Sequence, residues 1–339
     1  MNRTILLKSL RITILLLVAF FSGASSSSAL NLAAVEAQWT PPDSAVPIRM
    51  WGFIPDPGSC PGAPVTWNVG PLQTGAPGTS LTINLRNCLS EPVSIVIPGQ
   101  NTTMNPQTIT DGQGRVRVRA FTNETAPGGT ASYTWTNIKA GTFLYQSGSN
   151  PAKQVHMGLY GALVVGQYVE VPNNDILLLF SEIDPALHGT AASATPFSYK
   201  PKYFLVNGKT YSSGQPVPVV DADTRAKKDL LIRFVNAGLM SHVPVLQGPH
   251  MRIIAEDGNR YPYAREQYSV LLAAGKTLDA IWRPAKSGTY ALYDRSLSLS
   301  SNGAPGGGML VHLNIQPFPW SMFIPAITGA GQHSIFIPL

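Results

Sequence analysis

Residues 128–143 read GGTASYTWTNIKAGTF, and residues 275–290 read GKTLDAIWRPAKSGTY. Glycine opens both, Trp135 and Trp282 stand at the same place, and Gly141-Thr142-Phe143 matches Gly288-Thr289-Tyr290, all at an offset of 147 (128 to 275). Gly161-Ala162-Leu163-Val164 against Gly308-Met309-Leu310-Val311 keeps that offset, and LTINLRN at 81–87 matches LLIRFVN at 230–236 at an offset of 149 (81 to 230). A fixed offset of this size marks a duplicated domain rather than a solenoid of short units. Each copy has the pattern of antiparallel strands. Leu81, Ile83 and Leu85 alternate with Thr82, Asn84 and Arg86, and Tyr133 and Trp135 flank Thr134, the period of two of a half-buried strand. Ile176–Phe180 is a continuous apolar run suited to burial between the two copies. The expected fold is all-β: two tandem Greek-key barrels or sandwiches, residues 38–167 and 172–316, joined around Pro172-Asn173-Asn174 and followed by a tail, 317–339.

Composition agrees. Hydrophobic residues make up 44% of the 339, which excludes a disordered chain. The 31 Gly and 29 Pro are spread without a G-X-Y period, which excludes collagen and favours many strands joined by turns. At the amino end, Arg3, Lys8 and Arg11 precede an apolar run, Ile12–Phe21, and then small residues, Ser22–Ala29. This is the order of a secretory signal peptide, assigned to residues 1–37 with cleavage after Ala37; Ala24 and Ala29 are alternative sites, and an uncleaved anchor is the competing reading. Export places the protein in the periplasm, at the cell surface or outside the cell, with no membrane span once the leader is removed. The net charge of +6 is mild and no Lys/Arg cluster occurs, so nucleic acid is not an expected partner. In an oxidising compartment Cys60 and Cys88 are expected to form a disulfide, against the alternative of two buried thiols.

Six segments resemble the multicopper oxidase family, whose domains are cupredoxin barrels: EPVSIVIPG (91–99), AGTFLYQSG (140–148) and MGLYGALVV (157–165) in the first copy, and VNGK (206–209), RFVNA (233–237) and IAEDG (254–258) in the second. The resemblance covers nearly all of residues 48–316. It implies copper held by paired His-x-His motifs and by a Cys flanked by His, because imidazole nitrogen and thiolate sulfur suit that metal. The pairs would fall at Val96 and Pro98 and at Gln146 and Gly148, and Val, Pro and Gly have no side-chain donor atom. No His-x-His occurs, and neither cysteine has a flanking histidine. The family's third domain is also expected to be missing, since 23 residues follow Gln316.

The implied protein is a degenerate member: a non-catalytic binding or structural protein rather than an enzyme, with no cofactor expected. The alternative is a residual copper-binding protein, or a multicopper oxidase-type oxidoreductase with a reduced or intermolecular copper site. Its candidates are Met240, His242, His250 and Met251, a Met/His set suited to Cu(I), weighed against plain core and loop residues. The four degenerate positions are expected to converge in an apolar pocket with Gln146 as its one polar side chain. His156 reads as a strand-edge residue, and His188, His312 and His333 have no sequence partner. Glu182 and Asp184 share one face of a strand end, either as an acid–base pair or as exposed acids. Gly275-Lys276-Thr277 imitates the end of a phosphate-binding loop, but Val270 stands where its first glycine belongs. The tail, with PFPWSMFIP (317–325) and SIFIPL (334–339), is too apolar to be solvated. It is expected to pack across the two barrels or against a partner, a protein or a second copy, that docks on the tail or on the degenerate site.

Overall fold

The computed structural model describes residues 28–171, 174–189, 199–211, 225–248, 250–319, 323–326 and 335–338. The first unit contains β1 (Ser28–Trp39), β2 (Ile48–Pro55), β3 (Val65–Thr66), β4 (Gly70–Gly75), β5 (Leu81–Asn87), β6 (Gln107–Thr110), β7 (Val116–Ala120), β8 (Thr130–Trp135), β9 (Gly141–Gln146), a one-turn helix α1 (Pro151–Gln154) and β10 (Tyr160–Val165). The second contains β11 (Asp175–Ile183), a short helix α2 (Pro185–Gly189), β12 (Tyr203–Val206), β13 (Leu230–Asn236), β14 (Pro244–Leu246), β15 (Met251–Glu256), β16 (Asn259–Gln267), β17 (Thr277–Trp282), β18 (Gly288–Asp294), β19 (Ser300–Ser301), β20 (Ala304–Pro305) and β21 (Leu310–Ile315). In the tail, β22 (Phe323–Ala326) pairs with β23 (Ile335–Pro338). Trp320, Met322 and His333, like Pro172 and Asn173 of the expected linker, lie outside the described residues.

The first unit sets a sheet in the order β2-β1-β5-β8, with β3 on β1, against a sheet β4-β10-β9. The second sets β16-β15-β17-β13-β11-β12-β19-β20 against β14-β18-β21. The duplication is visible in the registers. Leu81 pairs with Trp135 as Leu230 pairs with Trp282, and both tryptophans are 1% exposed at the centre of their cores. β1 runs parallel to β5 as β11 runs parallel to β13. Asn87 and Asn236, at equivalent strand ends, close the following turn in the same way. Each donates its side-chain amide to two carbonyls, Glu91 and Thr125 in one copy and Met240 and Leu272 in the other. Each accepts a backbone N–H two residues on, from Leu89 and Gly238.

Two expectations change. Val165 pairs with Gly141 and Ile315 with Gly288, so the last strand is offset by 150 (165 to 315), against 147 (141 to 288) for its neighbour. The Gly-x-Leu-Val match at 161–164 therefore misleads. Alternation turns Leu163 and Val165 into one core and Leu313 and Ile315 into the other, and an odd slip of three would turn them outward. The second change is the leader. β1 is the counterpart of β11, and Leu32, Ala33, Ala34, Val35 and Ala37 are at most 2% exposed. A cut after Ala37 would remove all of β1 except Gln38 and Trp39. The small residues at 33–37 that resemble a cleavage site are small because they pack between layers, so the first barrel begins at Ser28 rather than at 38.

The run Ile176–Phe180 is buried on both faces. Leu178 and Phe180 enter the core of the second barrel, while Leu179 and Ile183 join Trp39, Met50, Trp67 and Tyr160 in a third cluster shared by the two barrels. Cys60 and Cys88 are bonded, tying the exposed segment after β2 to the end of β5. Their separation of 28 residues gives about 3–4 kcal/mol of stabilisation in the chain-entropy model. The double variant Cys60→Ser/Cys88→Ser is expected to lose that amount in urea unfolding. Thiol titration of the unfolded, unreduced wild type should find no free thiol; two would overturn the pairing.

Candidate functional site

The positions where the resemblance places copper ligands lie on the segment Val93–Pro98 and at the end of β9. Val96 and Gln146 form an isolated antiparallel bridge, with Val96 N to Gln146 O at 2.9 Å and Gln146 N to Val96 O at 3.0 Å. Gly148 packs directly on this bridge: a Cβ there would come within 2.6 Å of Val96 Cγ1 and 2.9 Å of Ser94 Oγ. Val96, Gln146 and Gly148 thus meet, and Gly148 is glycine because the neighbouring segment leaves no room for a side chain. Pro98 is exposed and Gln146 half-buried, so the four do not enclose the expected apolar pocket. A backbone frame remains here, but the side chains do not fit copper. Val96, Pro98 and Gly148 contribute no donor, and a neutral amide oxygen is a poor ligand for that metal.

The Met/His candidates separate. Met251 is 0% exposed in the core of the second barrel, Met240 is half-buried, and His250 is exposed with its ring edge against Tyr268. His242 is 0% exposed, and both of its nitrogens are occupied. Nδ1 lies 3.0 Å from Asp294 Oδ2, and Nε2 bonds Glu182 Oε1. Burial opposes charge on this ring. The hydrogen bonds to Asp294 and Glu182 and the charges of both carboxylates outweigh it and raise the imidazole to about 9. Asp294 is pushed up by burial but more strongly down by His242 and the Val243 N–H, to about 2. His242 is therefore an imidazolium clamped between two carboxylates, with no lone pair for a metal.

Glu182 and Asp184 are 3% and 2% exposed, not the solvated acids that a strand end suggests. Glu182 also accepts from Tyr199 Oη at 2.8 Å and Leu239 N at 3.0 Å, and Gly238 is a glycine because a Cβ there would strike the Glu182 carboxylate. Asp184 accepts from Ala186 N, at the start of α2, and from Lys200 N. Lys276 of the loop-like triplet pairs with Glu256, and Thr277 begins β17, so that triplet is strand entry.

A second buried polar group joins the barrels. Arg233, 1% exposed, donates to Asp175 and, at 2.9 Å, to Thr142 Oγ1 of the first barrel. Thr142 Oγ1 donates to Asp279 Oδ1 at 2.6 Å, and Tyr168 Oη donates to Asp279 Oδ2 at 2.6 Å. Burial pushes the Asp279 carboxyl up against the pull of Arg233. Beside this network lies a cleft of about 520 Å³ with an apolar wall of Leu72, Val164, Ile176 and Leu177. Sequence reading missed Arg233 as a functional residue, although an arginine inside the apolar strand Leu231–Val235 is its signal. His156, expected at a strand edge, follows α1 and is buried, 5% exposed. Among the described residues no group of three or more His, Cys, Asp or Glu is placed to hold a metal ion.

Family-model comparison matches residues 67–169 and 182–310, each to a model described as multicopper oxidase. Comparison with curated proteins gives no match. Among solved structures, the chain is similar to a blue copper oxidase from Nitrosomonas europaea, with a TM-score of 0.69, 19% identity and 86% of each chain covered. It is also similar to a copper nitrite reductase from the same organism, with a TM-score of 0.64, 19% identity, and 86% of this chain and 94% of that one covered. A laccase from Botrytis aclada matches at a TM-score of 0.60 and 18% identity, over 92% of this chain and 55% of that one. At these identities the solved structures speak for the fold alone.

Proposed function

Because the chain belongs to the multicopper oxidase family while Val96, Pro98, Gln146 and Gly148 stand where the family's ligands would fall, we propose that it is a non-catalytic member: an exported protein that binds or organises another molecule rather than oxidising one. The observation that carries this reading is the Val96–Gln146 bridge with Gly148 packed on it. The frame is kept, yet it presents no imidazole or thiolate. Export is supported by the leader pattern ahead of Ser28 and by the Cys60–Cys88 bond, which is stable outside a reducing cytosol. No helix among the described residues is long and apolar enough to cross a membrane. The partner is a protein or a second copy of this chain, docked on the apolar tail or on the face around Gln146.

The test is oxygen uptake by the purified, copper-treated protein with a phenolic dye as reductant. The expected rate is that of free copper at the same concentration. Saturable turnover above that background would overturn the reading, as would several coppers per chain. A second reading, a copper-binding protein without oxidase activity, is favoured by one observation, a buried pair of histidines.

A further inference from the structure

His156 and His188 are 32 residues apart (156 to 188) in sequence and meet in the fold, with ring centroids 5.5 Å apart and planes at 64°. One follows α1 of the first barrel and the other lies in α2 at the head of the second. They are 5% and 1% exposed. In each ring Nδ1 faces a backbone carbonyl, Ala152 O at 2.7 Å for His156 and Arg49 O at 2.8 Å for His188. A carbonyl can only accept, so Nδ1 carries the hydrogen in both rings and the lone pair of the neutral imidazole lies on Nε2. Neither Nε2 has a hydrogen-bond partner among the described residues. A buried acceptor left unpaired is costly, and two in adjoining rings, both in the same tautomer, call for a ligand.

The surroundings suit a small cation. An Nδ1–H held by a carbonyl is the arrangement that orients a metal-ligating histidine and strengthens its other nitrogen. The Asp184 carboxylate acts on both rings. The nearby cation of Lys153 is paired with Glu91. Burial holds the His188 imidazole down to about 4 and lowers that of His156.

We propose that His156 and His188 form a two-coordinate site for a single Cu(I) ion, bound through the two Nε2 atoms. Zinc in a closed site demands four ligands, which the described residues do not supply here. Cu(I) accepts two imidazole nitrogens in a line, and its single charge is less costly to bury than a double one. The site shares no residue with the degenerate positions, and it goes beyond the non-catalytic reading without depending on it.

The experiment is an anaerobic titration of the full-length exported protein with Cu(I) buffered by a chromogenic chelator, followed by X-ray absorption of the loaded sample. One equivalent is expected, with two nitrogen neighbours and no sulfur. His156→Gln and His188→Gln should each weaken binding by more than about 100-fold, and His250→Gln should leave it unchanged. No competition with the chelator, an equivalent retained by the His156→Gln/His188→Gln double variant, or a sulfur neighbour would overturn the site. Should a glutamine variant fail to fold, the wild-type absorption spectrum decides alone, because two nitrogens without sulfur support the site and any other shell rejects it. Bound Cu(I) without oxygen uptake keeps both proposals, and oxygen uptake with an unmodified titration rejects only the non-catalytic one.

Discussion

A chain begun at Gln38 is expected to lose the cooperative unfolding of its first barrel, while one begun at Ser25 keeps it. The difference is β1. Without residues 28–37, β5 and β2 lose the strand between them, from Ser28↔Leu81 to Ala34↔Asn87 on one side and from Leu32↔Pro55 to Ala37↔Met50 on the other. Leu32 and Val35 alone remove about 1.5–3 kcal/mol each by losing burial. The lost ladder and the newly exposed faces of Phe53, Leu81, Ile83 and Leu85 add to this, and the sum approaches the roughly 5–15 kcal/mol that is the net stability of a whole domain. The measurement is urea unfolding of the two chains followed by tryptophan fluorescence. Equal midpoints would show that β1 is dispensable. Sequencing the amino end of the exported protein makes the matching check, since processing is expected before Ser28.

The second large effect is at His242. His242→Leu removes an imidazolium from between Glu182 and Asp294, leaving two carboxylates whose side chains are 0% exposed. Breaking a buried charge pair from one side costs about 3–5 kcal/mol. The pH dependence separates this from simple loss of packing. The imidazole is near 9 folded and near 6.5 when free, so the folded state holds the extra proton in between. The stabilisation is whole below about pH 6.5 and is lost as pH rises towards about 9. At the acid end the lowered Asp294 contributes in full above 3.8 and loses its share as pH falls through about 2. Between pH 7.5 and 9, where the lowered His156 and His188 no longer take up protons in either state, unfolding midpoints should fall steadily for the wild type and stay level for His242→Leu. A wild type that is equally stable at pH 7.5 and pH 9, or a variant within about 1 kcal/mol of it at pH 7.5, would remove the clamp from the account.

Much of the architecture was legible in the residues. Leu81–Asn87 and Tyr133–Trp135 announce their strands by alternation, and the spacing of Trp135 and Trp282 announces the duplication, because core-facing positions in a strand recur at a period of two and a copied domain keeps its turns. The same reading failed at β1. A buried strand made of small apolar residues has the composition of a signal-peptide end, and only its pairing partners distinguish the two.

The sequence by itself determined which side-chain donors the expected ligand positions lack. Side-chain donors are a property of residue type, so the side chains of Val96, Pro98 and Gly148 offer copper no ligand in any fold. What the remaining polar residues do was decided by tertiary structure. His242 looked like a ligand candidate until β11 and β18 brought Glu182 and Asp294 to its two nitrogens. Arg233, Thr142 and Asp279 come from strands of different barrels, and no local pattern links them. His156 and His188 had no sequence partner and became each other's neighbour when α1 and α2 packed at the junction of the barrels. Burial and hydrogen bonding set whether an imidazole is a cation, a packing element or a ligand, and both depend on contacts between residues far apart in the chain.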